Sequence, residues 1–222
     1  KEDYFTPTCL VWSNYGYTHG DLTAWEALQV SCNYYFYELG NRLATTKGGK
    51  EFMDATAKGL GLGEPTGIEL SEDIGHRANE ETKQKLYTGI DAHFYTGNVI
   101  LAAIGQDENK FSPLQLCVYA SPLANQGTRY RATFLQKVIS ADYQELLEEV
   151  DPEVVSTYEI SDTAYDAIVY GMRLAATEGS AKTHLEHYPM DVCAKTGTAQ
   201  TFTSVSDHGA FICFAPANDP EI

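Results

Sequence analysis

Residues 191–200 read Asp-Val-Cys-Ala-Lys-Thr-Gly-Thr-Ala-Gln, and the interpretation of the whole chain starts from this segment. It places a cation, two hydroxyls and a residue without a side chain next to one another on a predicted strand. Such a strand suits a substrate that ends in a carboxylate. Lys195 would supply charge, Thr196 and Thr198 would supply hydrogen bonds, and Gly197 would let a backbone approach closely. With Gln200, which follows the predicted strand, these residues form the predicted substrate-binding set.

The sequence predicts helices first and a sheet last, which indicates the α+β class. Strands are predicted at 192–198 and 209–215, and a polar loop between them favours an antiparallel pair. Shorter strands are predicted at 133–138 and 154–158, and the acidic run 145–151 is predicted to be a solvated helix face or loop. Helices are predicted from residue 21, at 34–43, from 50 to about 59, at 98–104, from 112 to 125 with a kink or early stop at Pro122, and from 161 to 176.

The net negative charge of the chain argues against nucleic acids and anionic lipids as partners. The chain has 222 residues, a formal net charge of −16 and only 15 lysines and arginines. A surface this acidic repels phosphate backbones and anionic lipids, so nucleic-acid binding is not expected. A carboxylate ligand would need local positive charge, which makes Lys195 a strong candidate.

The five cysteines predict neither a disulfide framework nor a metal site. They are scattered and lack a Cys-x-x-Cys pair, so they are interpreted as small buried hydrophobic residues. They are Cys9, Cys32, Cys117, Cys193 and Cys213. No cofactor is expected. No apolar run is long enough to cross a membrane, and no signal peptide is visible.

A second motif, Ser31-Cys32-Asn33, lies well upstream of Lys195. Ser31 is predicted to be the N-cap of the helix at 34–43. Ser-x-Asn alone is expected by chance roughly once in a chain of this length. It becomes informative only because Lys195-Thr196-Gly197 occurs in the same chain. Together they mark Ser31, Asn33 and Lys195 as candidate catalytic residues, whose roles follow from the family resemblance described next.

The ordered motifs resemble the transpeptidase domain of class B penicillin-binding proteins, within the serine DD-peptidase and β-lactamase superfamily. The resemblance covers most of the chain. Besides the two motifs above, it rests on segments at 19–22, 59–63, 66–70, 104–106, 112–115, 123–127, 171–172 and 214–216.

The resemblance implies a β-lactamase/DD-peptidase-like fold, with an antiparallel sheet flanked by helices beside an all-helical subdomain. Residues of about 20–130 would form most of the helical part, and about 131–222 the sheet-bearing part. The implied reaction cross-links D-alanyl-D-alanine stem peptides through an acyl-serine, and β-lactams acylate the same serine. Ser31 would relay protons, Asn33 would orient the substrate, and the Thr198 N–H would form half of an oxyanion hole.

The third family motif, Ser-x-x-Lys, is absent, because no serine here has a lysine three residues later. In the family this motif lies upstream, so we expect the chain to be a fragment, incomplete at both ends and inactive alone. Two alternatives stay open: a β-lactamase or β-lactam sensor of the same fold, and a non-catalytic peptidoglycan-binding scaffold.

The family also implies a setting. The resemblance implies that the longer protein containing this chain lies on the extracytoplasmic face of the bacterial membrane, anchored by an upstream segment. Cell-wall synthesis proteins would be its partners. An open sheet edge would favour self-association.

Overall fold

A computed structural model describes residues 7–200 and 206–220 of the chain. The fold is α+β, and in the described residues helices dominate the first half while every strand follows residue 127. The helices are α1 Leu10–Tyr15, α2 Ala24–Gln29, α3 Asn33–Thr45, α4 Gly49–Gly59, α5 Glu80–Leu86, α6 Thr96–Ala102, α7 Pro113–Ala124, α8 Asp162–Thr177 and α9 Lys182–Leu185, with a 3-10 turn at Gly89–Ala92.

The described strands form three two-stranded antiparallel sheets, β1 with β4, β2 with β3 and β5 with β6. Their bounds are β1 Thr128–Tyr130, β2 Lys137–Ile139, β3 Leu146–Glu149, β4 Val154–Thr157, β5 Cys193–Ala199 and β6 His208–Phe214. The predicted antiparallel pair near the chain end is confirmed, with Lys195 opposite Ile212.

The acidic run 145–151 was predicted wrongly, since it contains β3. Ser140 accepts hydrogen bonds from the backbone N–H groups of Gln144 and Glu145, which closes a turn that local composition did not reveal. The turn brings β3 back along β2, where Glu149 lies opposite Lys137. An opposite-charge cross-strand pair therefore offsets part of the acidity of the run.

The predicted early stop at Pro122 is also wrong, because α7 continues to Ala124. Pro122 lies two residues before the end of the helix, where the missing N–H removes one hydrogen bond. The predicted start is confirmed: the Ser112 side chain accepts from the Gln115 N–H, and Pro113 occupies the first helical position. Helices α1, α5 and α9 and strand β1 were not predicted.

The largest buried cluster joins the last strands to the helices that cover them. It contains Leu123 of α7, Met172 of α8, Cys193 of β5 and Phe214 of β6. Helix α2 packs on the other side of α8. Close approach there depends on Gly171, where a Cβ would meet the Trp25 Cα at 3.0 Å. This packing carries the end of α2, and hence Ser31, to β5.

None of the helices in the described part of the chain combines the length and the apolar character that a membrane crossing requires.

Candidate active site

Lys195 and Ser31, 164 residues apart in sequence, lie in direct contact. The Lys195 Nζ donates to the Ser31 Oγ at 2.8 Å and to the Thr196 carbonyl at 2.7 Å. Burial lowers the pKa of the Lys195 ammonium, because desolvation disfavours the charged form. The two hydrogen bonds hold the ammonium between β5 and the α2–α3 junction.

Ser31 is not the N-cap of α3; that position belongs to Cys32. Ser31 instead ends α2. Its N–H donates to the Leu28 carbonyl, the Cys32 N–H donates to the Ala27 carbonyl, and the φ of Ser31 is 53°. This is a Schellman motif, whose left-handed position favours glycine. A serine there retains a strained backbone, which turns its hydroxyl to Lys195.

The two threonines of β5 present different groups. The Thr196 Oγ1 donates to the Ser180 Oγ at 2.9 Å, and the Thr198 carbonyl accepts from the Gln106 Nε2 at 3.0 Å. Thr198 is exposed and Thr196 half-buried. Hydroxyl and main-chain groups thus line a strand edge next to the Lys195 ammonium, which is a suitable arrangement for an anionic, extended ligand.

Gly197 lies between the two threonines and is exposed. A Cβ there would meet the Ala210 Cβ at 3.5 Å, which is ordinary van der Waals contact. Packing against β6 therefore does not require glycine at this position. The absent side chain at Gly197 instead leaves room for a ligand that approaches β5 from solvent.

Asn33 and Gln200 are less tightly joined to this centre. Asn33 is the first residue of α3 and is half-buried, and the hydrogen bonds among the described residues include none from its side chain to Ser31 or Lys195. Gln200 follows the end of β5 and is exposed. The structure thus joins Ser31, Lys195 and Thr196 directly, and places Asn33 and Gln200 at the margins.

Two residues that contact the binding strand, Ser180 and Gln106, were not predicted from the sequence. Ser180 precedes α9 and belongs to none of the family motifs. Gln106 belongs to Ile104-Gly105-Gln106, which carried part of the family resemblance. That segment was the only available signal, and it gave no indication of contact with Thr198.

The structure also gathers Cys9, His19 and Cys32, whose ligand atoms lie within 4.8 Å of one another. The Cys9 Sγ lies 3.6 Å from the His19 Nδ1. Thiolate and imidazole are ligand types that zinc prefers, and a tetrahedral site would need one more donor. The spacing of these residues had predicted no metal site. Cys32 directly follows Ser31, so this trio adjoins the candidate active site.

A family model described as the penicillin binding protein transpeptidase domain matches residues 2–222. The chain belongs to this family. Among curated relatives, penicillin-binding protein 2A of Bacillus subtilis is 30% identical over 176 residues, which are 73% of this chain and 23% of that protein. The peptidoglycan D,D-transpeptidase MrdA of Acinetobacter baumannii is 27% identical over 219 residues, 92% of this chain and 31% of that protein.

Solved structures show the same fold. A penicillin-binding protein (PBP2) from Helicobacter pylori superposes with a TM-score of 0.71 at 24% identity, covering 91% of this chain and 35% of that one. A D,D-transpeptidase domain from Eggerthella lenta gives a TM-score of 0.70 at 21% identity, covering 92% and 48%. The chain thus spans less than a third of the length of either curated transpeptidase-family relative.

Proposed function

We propose that this chain is part of a peptidoglycan D,D-transpeptidase and supplies its substrate-binding strand and proton-relay serine. The observation that carries the proposal is the 2.8 Å hydrogen bond between the Lys195 Nζ and the Ser31 Oγ. It joins the two family motifs found in the sequence, at a strained serine and a desolvated lysine. Perturbed groups of this kind concentrate at functional sites.

The proposed reaction is acyl transfer. A serine Oγ attacks the carbonyl carbon of the penultimate D-alanine, the terminal D-alanine leaves with a proton on its nitrogen, and an amino group of a neighbouring stem then displaces the serine. The substrate carboxylate would bind the Thr196 and Thr198 hydroxyls near the Lys195 charge. The Ser31 hydroxyl would pass the proton to the leaving nitrogen, and the Thr198 N–H would donate to the oxyanion.

Asn33 and Gln200 have supporting roles in this proposal. Asn33, at the first turn of α3, would orient the amide side of the substrate, and Gln200 would border the far end of the binding strand. Within the chain, residues of about 20–130 would form the helical wall of the cleft and about 131–222 the wall that carries β5. Gly197 would leave room for the substrate backbone.

The family relationship also supports a proposal about partners and cellular location. One structural relative is a complex of PBP2 with MreC from Helicobacter pylori, and another belongs to a peptidoglycan synthase complex. We infer that this protein likewise works with cell-wall synthesis proteins, anchored at the extracytoplasmic face of the bacterial membrane. The edge of β5 opposite β6 would allow copies of the chain to associate when no substrate covers it.

Intact mass spectrometry after incubation with benzylpenicillin tests the proposal. This chain alone should gain no mass, whereas the chain extended with the residues its gene encodes on either side should gain one penicilloyl group. Lys195→Ala in the extended protein should slow acylation by a factor on the order of a hundred or more, as for other lost transition-state contacts. Lys137→Ala, on the exposed strand β2, is the matched control and should react at the normal rate.

The outcomes separate the alternatives. An extended protein that gains no adduct would leave the scaffold interpretation standing. An adduct that hydrolyses within seconds would indicate a β-lactamase, because transpeptidases keep the acyl group far longer in the absence of an acceptor amine. An adduct on this chain alone would assign the nucleophile to a serine within residues 1–222 and overturn the roles given above.

A further inference from the structure

The edge of β5 that faces away from β6 is where an extended ligand would bind. In an antiparallel pair, alternate residues direct their main-chain groups toward and away from the partner strand. The Thr196 and Thr198 carbonyls accept from the side chains of Lys195 and Gln106, both outside β6. This indicates that Thr196 and Thr198 direct their main chain to the free edge. A peptide added there as a strand would donate an N–H to one of these carbonyls.

In this structure the Thr198 carbonyl already has a donor. The Gln106 Nε2 lies 3.0 Å from that oxygen, from a residue 92 positions earlier in the chain. A primary amide N–H is chemically equivalent to a peptide N–H as a donor. The Gln106 side chain therefore occupies the acceptor that an incoming extended peptide would use.

The backbone of Gln106 is held by hydrogen bonds at the end of α6. Gly105, with φ of 83°, and Gln106 close the end of α6 with backbone hydrogen bonds of 2.9 and 3.1 Å. Asp107 follows with φ of 62°, which is a strained value for a residue with a side chain. Its carboxylate accepts from the Asn98 side chain at 2.7 Å and lies 3.5 Å from the buried Lys83 ammonium.

We propose that Gln106 is a specificity-determining residue that holds the Thr198 carbonyl in the empty site and releases it to the amide N–H of the acyl donor. This inference rests on the proposed function. The hydrogen bond from the Gln106 side chain to the Thr198 carbonyl breaks, and a hydrogen bond from a ligand N–H to the same oxygen replaces it. The Gln106 side chain then turns toward solvent. A ligand without such an N–H leaves Gln106 in place. Gln106 thus competes with every ligand that pairs with β5 as a strand. Such a ligand must displace the Gln106 side chain from the Thr198 carbonyl with an N–H of its own.

The test compares two β-lactams on the gene-extended protein. Benzylpenicillin has an exocyclic amide N–H, and penicillanic acid has the same fused lactam and carboxylate without that amide. The second-order acylation rate constant would be measured by mass spectrometry for wild type, Gln106→Leu and Gln106→Ala. Leucine keeps most of the volume and removes the donor, while alanine opens the edge if leucine obstructs it. Gln84→Leu, on the exposed face of α5, is the matched control.

Loss of the Gln106 donor should raise the rate constant for benzylpenicillin roughly threefold to tenfold, as expected for one hydrogen bond. The rate constant for penicillanic acid should stay unchanged. Equal loss of rate with both compounds would show that Gln106 only supports the strand, and no change with either would show that the carbonyl accepts both donors; each overturns the inference while the proposed function stands. A wild-type protein that neither compound acylates would refute the proposed function, and this inference with it.

Discussion

At the scale of single residues, Ser31 shows how a local rule is broken at the candidate site. Glycine is favoured at the left-handed position that ends a helix, and a side chain there costs about 1–2 kcal/mol. Ser31 adopts φ of 53° and directs its hydroxyl to the Lys195 ammonium. Local propensity favours glycine here, whereas the hydrogen bond to Lys195 needs a hydroxyl, and the proposed relay role would account for serine.

Ser31→Gly and Ser31→Ala separate the two effects. Both variants lose the hydroxyl and its hydrogen bond to Lys195, but only glycine relieves the backbone. We expect Ser31→Gly to be more stable than Ser31→Ala by about 1 kcal/mol in urea unfolding. Both should lose transpeptidation in the extended protein. Equal stability of the two variants would contradict the strain assigned to Ser31.

At the scale of elements, the contact between α2 and α8 positions Ser31. Gly171 lets the two helices approach, since a Cβ there would lie 3.0 Å from the Leu28 Cβ and from the Trp25 Cα. Helix α2 starts with a capping box, in which Thr23 and Glu26 bond one another's backbone N–H groups. A helix held at its start and along one face brings Ser31, two residues after its end, to a fixed place beside Lys195 of β5.

Gly171→Ala should therefore destabilise the chain by about 1–3 kcal/mol, the usual cost of overpacking. Gly97→Ala is the matched control, because Gly97 also lies in a helix and has nothing within 4 Å of its missing Cβ. Its stability should rise by about 0.5–1 kcal/mol. Thermal unfolding followed by circular dichroism measures both. A neutral Gly171→Ala would mean that α2 shifts without cost and does not fix Ser31.

At the scale of the whole molecule, charge opposes folding. The sequence has 31 acidic and 15 basic side chains, so fewer than half of the carboxylates can each have a lysine or arginine of their own. Hydrogen bonds stabilise some of the others. The Glu72 carboxylate accepts from the backbone N–H and the hydroxyl of Thr66, and hydrogen bonds from Thr133 and from the Phe134 N–H lower the pKa of Glu69. The remaining charges repel across the surface.

Salt should consequently stabilise the chain. Raising NaCl from about 10 mM to about 300 mM shortens the Debye length from roughly 30 Å to well under 10 Å, which screens repulsion between distant carboxylates. We expect the unfolding midpoint to rise by several degrees. KCl at equal concentration is the control, and should give the same rise if screening is the cause. A falling midpoint would show that attractive ion pairs outweigh the repulsion.

Local sequence was enough to establish the α+β class, the antiparallel pair β5–β6 and the family, because hydrophobic periodicity, helix caps and ordered motifs are properties of short segments. It also named Lys195, Thr196 and Ser31 as candidate site residues, and the structure brings the three into contact. Its errors lay in turns that composition did not reveal: the run 145–151 contains a strand because the turn closed by Ser140 returns it to β2.

The contacts of the site, in contrast, follow from the tertiary structure alone. Ser31 and Lys195 meet because α2 packs on α8 and α8 packs on β5, which no local pattern encodes. Gln106 reaches the Thr198 carbonyl, and Cys9 and His19 meet Cys32, for the same reason. Side chains far apart in sequence become neighbours through the packing of whole elements, and the geometry of that packing depends on many residues at once.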